Sequence, residues 1–107
     1  MSATLYGHPL SPPSQLAKAV ATYLNVPFEW VEVDVIGGAQ FEENYKKLNP
    51  NSKVPTWVEG DFSLAESAAI ARYLASKDGG SSIYPADVKE RAEIDKHTSI
   101  LNDLRFH

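Results

Sequence analysis

The chain has 107 residues, 43% hydrophobic and 22% charged, with a formal net charge of −4 and no cysteine. That length can bury one real core, and the acidic balance argues against a nucleic-acid partner, which needs a basic face. The missing cysteine excludes a disulfide framework, a thiolate zinc site, a cysteine nucleophile and Cys-x-x-Cys redox chemistry.

In chain order, Thr4-Leu5-Tyr6-Gly7 reads as a short strand ending in glycine. His8 to Pro13 holds three prolines and reads as a loop, with Ser14 as the N-cap of the helix that follows. Leu16, Ala19, Val20, Tyr23 and Leu24 recur at helical spacing and predict one apolar face, stopped by Asn25 and Pro27. Residues 28–35 are aromatic and β-branched and predict a second strand, broken at Gly37-Gly38. A short helix is expected over 41–48, ended by Asn49-Pro50. Thr56–Glu59 and Phe62–Leu64 predict a hairpin about Gly60-Asp61, and residues 66–77 a third helix ended by Asp78-Gly79-Gly80. The order is βαβ, then α, then ββα. The first two strands should be parallel, joined by a right-handed crossover, with the hairpin adding an antiparallel edge. This is the order of a thioredoxin-like α/β sandwich.

Residues 79–86, with Gly79-Gly80-Ser81-Ser82 and Tyr84-Pro85, read as a linker. From Asp87 to about 106 the chain is helical in propensity, but its apolar residues share no single stripe. Ile94, Leu101 and Leu104 point one way, Val88 and Ala92 another, and Ile100 lies off both. Such a helix wants partners on several sides, so the chain is expected to be the front part of something longer. A single helix docked on the sandwich is the alternative.

No apolar run approaches membrane-spanning length, and the N-terminus lacks a charged-then-apolar signal, so a cytoplasmic protein with no membrane partner is expected. His8, His97 and His107 are isolated, without metal-ligand spacing, and no metal is expected. Trp30 and Trp57 read as core residues of strands.

The most informative stretch is Lys53-Val54-Pro55-Thr56, followed by Leu64-Ala65-Glu66-Ser67. Proline in a sheet is confined mainly to strand starts, edges and bulges. A cis Val54-Pro55 bond would turn the Val54 N–H and C=O outward, where a peptide could pair with them like an added strand. Glu66-Ser67 opens the third helix, where free N–H groups favour an anion. The ordered pair points to a ligand with both peptide and carboxylate character. Each half has a plain structural reading: Pro55 as a strand-edge proline, Glu66-Ser67 as a helix start favoured by the dipole.

These residues resemble the glutathione transferase family over essentially the whole chain. Tyr6-Gly7-His8-Pro9-Leu10-Ser11 looks like the strand and loop of the plant phi class, with theta and delta close behind. Asn49-Pro50, Lys53-Val54-Pro55, Glu66-Ser67, Ala69-Ile70 and Tyr73-Leu74 match the family's landmarks in order and spacing. The resemblance implies a thioredoxin-like glutathione-binding domain over 1–78, the linker over 79–86, and the start of an all-helical domain over 87–107, whose remainder is absent.

It further implies a detoxifying transferase that takes glutathione as co-substrate against a small electrophile and forms a homodimer at full length. Ser11 would donate a hydrogen bond to the glutathione sulfur, and it ranks above Tyr6, which lies inside the strand. Val54, before Pro55, would pair with the cysteinyl part, Glu66 and Ser67 would hold the γ-glutamyl end, and Lys53 would contact the peptide. Two departures from the family pattern stand out. Gln40-Phe41 stands where the phi class carries a His-Lys pair for the glycine carboxylate, so Gln40 can hydrogen-bond but the cation is lost, and Lys46 or Lys47 would have to compensate. Ala68 replaces a frequent arginine near the usual dimer contact. The competing reading is a non-catalytic transferase-like assembly module; a free-standing thioredoxin-like oxidoreductase is disfavoured by the lack of cysteine.

Overall fold

The computed structural model describes residues 3–77 and 87–105, with side chains described as far as Lys96. The chain divides into two compact units, Met1–Leu74 and Ala75–His107. The proposed linker over 79–86 and the side chains of His97, Ile100, Leu101, Leu104 and His107 lie outside the described residues.

The first unit is a four-stranded sheet with helices on it. Strands β1 (Ala3–Gly7), β2 (Glu29–Glu32), β3 (Thr56–Glu59) and β4 (Phe62–Ala65) lie in the order β2-β1-β3-β4. β1 and β2 are parallel; β1 pairs antiparallel with β3, and β3 with β4. The helices are α1 (Pro12–Tyr23), α2 (Glu43–Leu48) and α3 (Ser67–Ser76), with a 3-10 turn at Ala39–Phe41. This mixed sheet in a βαβ-α-ββα chain order is the thioredoxin-like architecture.

Alternation along β1 divides the sheet's two faces. Ala3 and Leu5 point into the core with Ala17 and Ala21 of α1, Trp57 of β3, and Ile70 and Leu74 of α3. Tyr6 points the other way and meets Tyr45 of α2 edge-to-face, with ring centroids 6.1 Å apart. So α1 and α3 cover one face and α2 the other. Trp57 is wholly buried, and truncating such a side chain to alanine costs about 3–5 kcal/mol.

The apolar face of α1 differs from the expectation. Its buried residues are Ser14, Ala17 and Ala21, with Val20 and Leu24 packed beside them, whereas Leu16, Ala19 and Tyr23 are exposed. Small side chains at i and i+4 let the helix lie close on the sheet, and that close approach decided the face over bulk hydrophobicity. Gly7 serves the same end: a Cβ there would come within 2.9 Å of the Ser14 Cβ and 2.8 Å of the Trp30 ring. Trp30 itself is only half-buried, with the Lys18 ammonium 4.7 Å from its ring centroid. Asn25 stops the helix as expected, in the left-handed region at φ 58°.

Two other boundaries move. β2 covers only Glu29–Glu32, and the short helix expected over 41–48 is split into the 3-10 turn and α2. Gly38, at φ 87°, supplies the left-handed residue that opens the turn.

In the second unit, α4 spans Val88–Arg105. Asp87 caps it, accepting the Glu90 N–H at 2.9 Å on its carboxylate and the Arg91 N–H at 3.0 Å on its carbonyl. Arg91 also donates to the Ser76 hydroxyl at 3.3 Å. No helix among the described residues is long and apolar enough to cross a membrane.

Candidate functional site

The sheet register gathers the candidate residues at one end of the first unit. Tyr6 pairs with Thr56, and Thr56 with Ala65. The loop carrying Ser11 leaves β1 just past Tyr6, Val54-Pro55 enters β3 just before Thr56, and Glu66-Ser67 follows Ala65 directly. β2 ends at the same edge, since Glu32 pairs with Gly7, and its exit leads to Gln40. Four segments distant in sequence thus converge on the edge where β1, β2 and β4 end and β3 begins.

Ser11, rather than Ser14, caps α1. Two prolines occupy the first helical positions, where a missing N–H is harmless and the fixed φ suits the helix. The Ser11 Oγ accepts the Ser14 N–H at 3.2 Å, and its carbonyl accepts the Gln15 N–H at 3.0 Å. An Oγ used as acceptor in this way keeps its own proton, and no described residue receives it. The hydroxyl is therefore a half-buried donor at a helix N-terminus, where the macrodipole favours a negative charge. Ser14 is fully buried, its hydroxyl accepting the His8 N–H at 3.3 Å. His8 is structural: it is buried, and its Nδ1 accepts the Leu10 N–H at 3.1 Å.

The Val54-Pro55 bond is cis. Among the described residues nothing hydrogen-bonds the Val54 backbone. The turn is held from behind by three buried polar side chains that the sequence reading missed. The Tyr45 hydroxyl donates to the Lys53 carbonyl at 2.6 Å and lies 2.7 Å from the Thr56 Oγ1. Asn49 donates to the same carbonyl at 3.0 Å and to the same Oγ1 at 3.3 Å. Burial raises the Tyr45 pKa above the ordinary tyrosine value, and the Tyr6 hydroxyl adds to this; hydrogen bonds to Thr56 and Asn49 oppose the shift. Asn49 before Pro50 was legible as a helix stop and a family landmark, but not as a support of this turn.

Glu66 lies outside α3, in the left-handed region at φ 74°. Its carbonyl accepts the Ile70 N–H at 2.9 Å and so begins the helix, while its side chain stays exposed. Ser67 is buried at the first helical position. Gln40 sits in the 3-10 turn with its Oε1 buried and without a hydrogen-bond partner among the described residues. Phe41 beside it is 62% exposed. Lys46 and Lys47 are exposed in the last turn of α2. Among the described residues no group of His, Asp or Glu is placed to hold a metal ion.

The fold and this edge define a thioredoxin-like domain with an unpaired backbone segment, a helix-capping hydroxyl and a second helix start side by side. A family profile described as "Glutathione S-transferase, N-terminal domain" matches residues 5–82. Glutathione S-transferase 1 of Manduca sexta is 39% identical over 99% of this chain and 50% of its own length. Glutathione S-transferase theta-1 of Homo sapiens is 37% identical over 91% of this chain and 41% of its own. A Drosophila mojavensis glutathione transferase homologue solved with bound glutathione superposes with a TM-score of 0.84 at 38% identity, covering 89% of this chain and 44% of that one. The chain belongs to the glutathione S-transferase family, and it spans about half the length of these relatives.

Proposed function

We propose that this chain is the glutathione-binding part of a cytoplasmic glutathione transferase that stabilises the glutathione thiolate for attack on small electrophiles, as in detoxification. The observation that carries the reading is the convergence of Ser11, Val54 and Glu66-Ser67 on one sheet edge through the Tyr6–Thr56–Ala65 register. The unpaired Val54 backbone would take the cysteinyl residue as an added strand. Glu66 and the N-terminus of α3 would hold the γ-glutamyl amine and carboxylate between them. Lys53 would contact the peptide, and the orphaned Gln40 Oε1 would accept an N–H from its glycine end.

The thiol would then lie before the Ser11 hydroxyl. A free thiol has a pKa near ~8.5. A hydrogen bond to a charged group contributes roughly 1.5–3 kcal/mol, equivalent to lowering that pKa by about one to two units. The nucleophile belongs to the substrate, so the protein's part is electrostatic stabilisation by a preorganised donor and helix dipole. The domain division at residues 78 and 87, the homodimer of the full-length protein and the electrophile pocket in a following helical domain belong to this proposal. The assembly-module reading is favoured by one feature, the exposed Phe41 where the phi class carries a cation.

Glutathione titrated into the chain by calorimetry tests the proposal, with thiolate absorbance followed against pH. Glu66→Ala should weaken binding at least about ten-fold, the loss of one charge-assisted contact. Two changes at Ser11 separate its roles. Ser11→Ala removes cap and donor together, whereas Ser11→Asp keeps a cap acceptor but presents a charge that repels the thiolate. Both should return the bound thiol to near ~8.5 or above, and only Ser11→Ala should cost the cap's ~1 kcal/mol of stability. A thiol pKa unchanged by Ser11→Asp would remove Ser11 from its role. Absence of glutathione binding to this chain and to a longer one would favour the assembly module.

A further inference from the structure

A cavity of about 470 Å³ lies on the α2 face of the sheet and includes none of the residues assigned to glutathione. Its apolar walls are Val31 of β2, Val33 just after it, and Leu48 of α2. Two aromatic rings, Tyr6 and the buried Tyr45, line it and meet edge-to-face beside the apolar wall. The ionisable residues around it other than these tyrosines are all acidic: Glu32, Asp34 and Glu42. No lysine, arginine or histidine lines it, and none of the three carboxylates has an ion pair among the described residues. Asp34 is partly engaged, accepting the Gly37 N–H at 3.0 Å.

We infer that this cavity binds small hydrophobic organic cations, of the alkylated or aromatic ammonium class. The volume falls within the range of small-molecule sites, which run from about 300 to 1,000 Å³. Apolar walls alone would accept any hydrophobe of that size. The aromatic rings and uncompensated carboxylates select among them: an ammonium bearing alkyl groups gives up little hydration, is attracted to a tyrosine face, and lowers its energy in a negative field. An anion of the same shape would meet three carboxylates with no compensating cation. Glutathione, which carries a net negative charge, is disfavoured here on the same ground.

The test uses benzyltrimethylammonium as the cation, benzyl alcohol as a neutral probe and phenylacetate as an anion, each titrated into the chain and followed by methyl NMR. The cation should perturb the methyl signals of Val31, Val33 and Leu48 and bind about five-fold or more tightly than benzyl alcohol. Phenylacetate should not bind, and added salt should weaken the cation alone. Val31→Trp, on the rim of an edge strand, should fill the space and abolish binding of both the cation and benzyl alcohol. Glu32→Gln with Glu42→Gln should leave benzyl alcohol unchanged and erase the cation's advantage. Saturating glutathione should not displace the cation, so failure here is distinguishable from failure of the glutathione site. Equal binding of the three probes, an advantage that survives the double substitution, or displacement by glutathione would each overturn the inference.

Discussion

Two segments flank the proposed glutathione site, and they are built differently. The segment from Asn49 to Thr56 is fixed from behind: Tyr45 and Asn49 both bond the Lys53 carbonyl and the Thr56 hydroxyl. The segment from Asp34 to Phe41 has an exposed phenylalanine and a buried amide oxygen with no partner among the described residues. The first segment would present its proposed peptide-pairing edge with the supporting hydrogen bonds already made before a ligand arrives. The second retains a polar group whose partner would arrive with the ligand. Preorganisation reduces the ordering cost of binding, so the rigid segment is expected to set affinity and the unsatisfied one to adjust it.

Asn49→Ala should break the comparison most. It removes two donors from the rigid segment and the acceptor of the Asn51 N–H. Tyr45 would still reach the Lys53 carbonyl and the Thr56 hydroxyl. Leaving buried groups undersatisfied costs about 1–3 kcal/mol each, so a loss of about 3 kcal/mol is expected in urea unfolding. Glutathione affinity should fall with it, through the misplaced Val54 backbone. An unchanged midpoint with unchanged affinity would show that the segment needs no such support.

Tyr45→Phe should cost less, about 1–2 kcal/mol, because it removes one hydroxyl and leaves the Asn51 N–H its acceptor on Asn49. Its signature is in the pH dependence. The folded-state pKa of Tyr45 is raised, chiefly by burial, so the folded protein holds this proton more tightly than the unfolded chain. The stabilisation from the neutral tyrosine is therefore complete below the ordinary value of about 10 and is lost as pH rises above it toward the folded value. The difference in stability between the wild type and Tyr45→Phe should be flat up to about pH 9 and shrink above pH 10. A difference constant through pH 11 would mean that the hydroxyl is not held neutral by the fold.

The order of elements along the chain, the hairpin, the end of α1 at Asn25 and the pairing of Val54-Pro55 with Glu66-Ser67 were legible in the sequence, because alternation, turn residues and proline placement are local signals, whereas Ser11 came from the resemblance to the family. What it concealed depends on contacts across the fold. The buried face of α1 follows from how near Ala17 and Ala21 let the helix approach. Ser14 and Ser11 are equally plausible caps by residue type, and only the position of Pro12 and Pro13 inside the helix distinguishes them. The Tyr45–Asn49–Thr56 network joins residues up to eleven apart through side chains that carry no motif. Gln40 was identified by resemblance to the family, but its buried, unpaired oxygen is a property of packing.

That oxygen supplies the smallest effect and the sharpest contrast with the rigid segment. A buried acceptor without a partner costs about 1–3 kcal/mol, whereas an apolar side chain of similar volume would carry no such cost. Gln40→Leu should therefore leave the free chain as stable as before, or more stable by up to about 1 kcal/mol, the reverse of Asn49→Ala. The same change should weaken glutathione several-fold, because the ligand would no longer find the acceptor that its peptide N–H is proposed to satisfy. A gain in stability with no loss of affinity would make Gln40 a packing defect. A loss of stability would mean that the amide already has a partner in solution, and the two flanks would then be equally complete before glutathione binds.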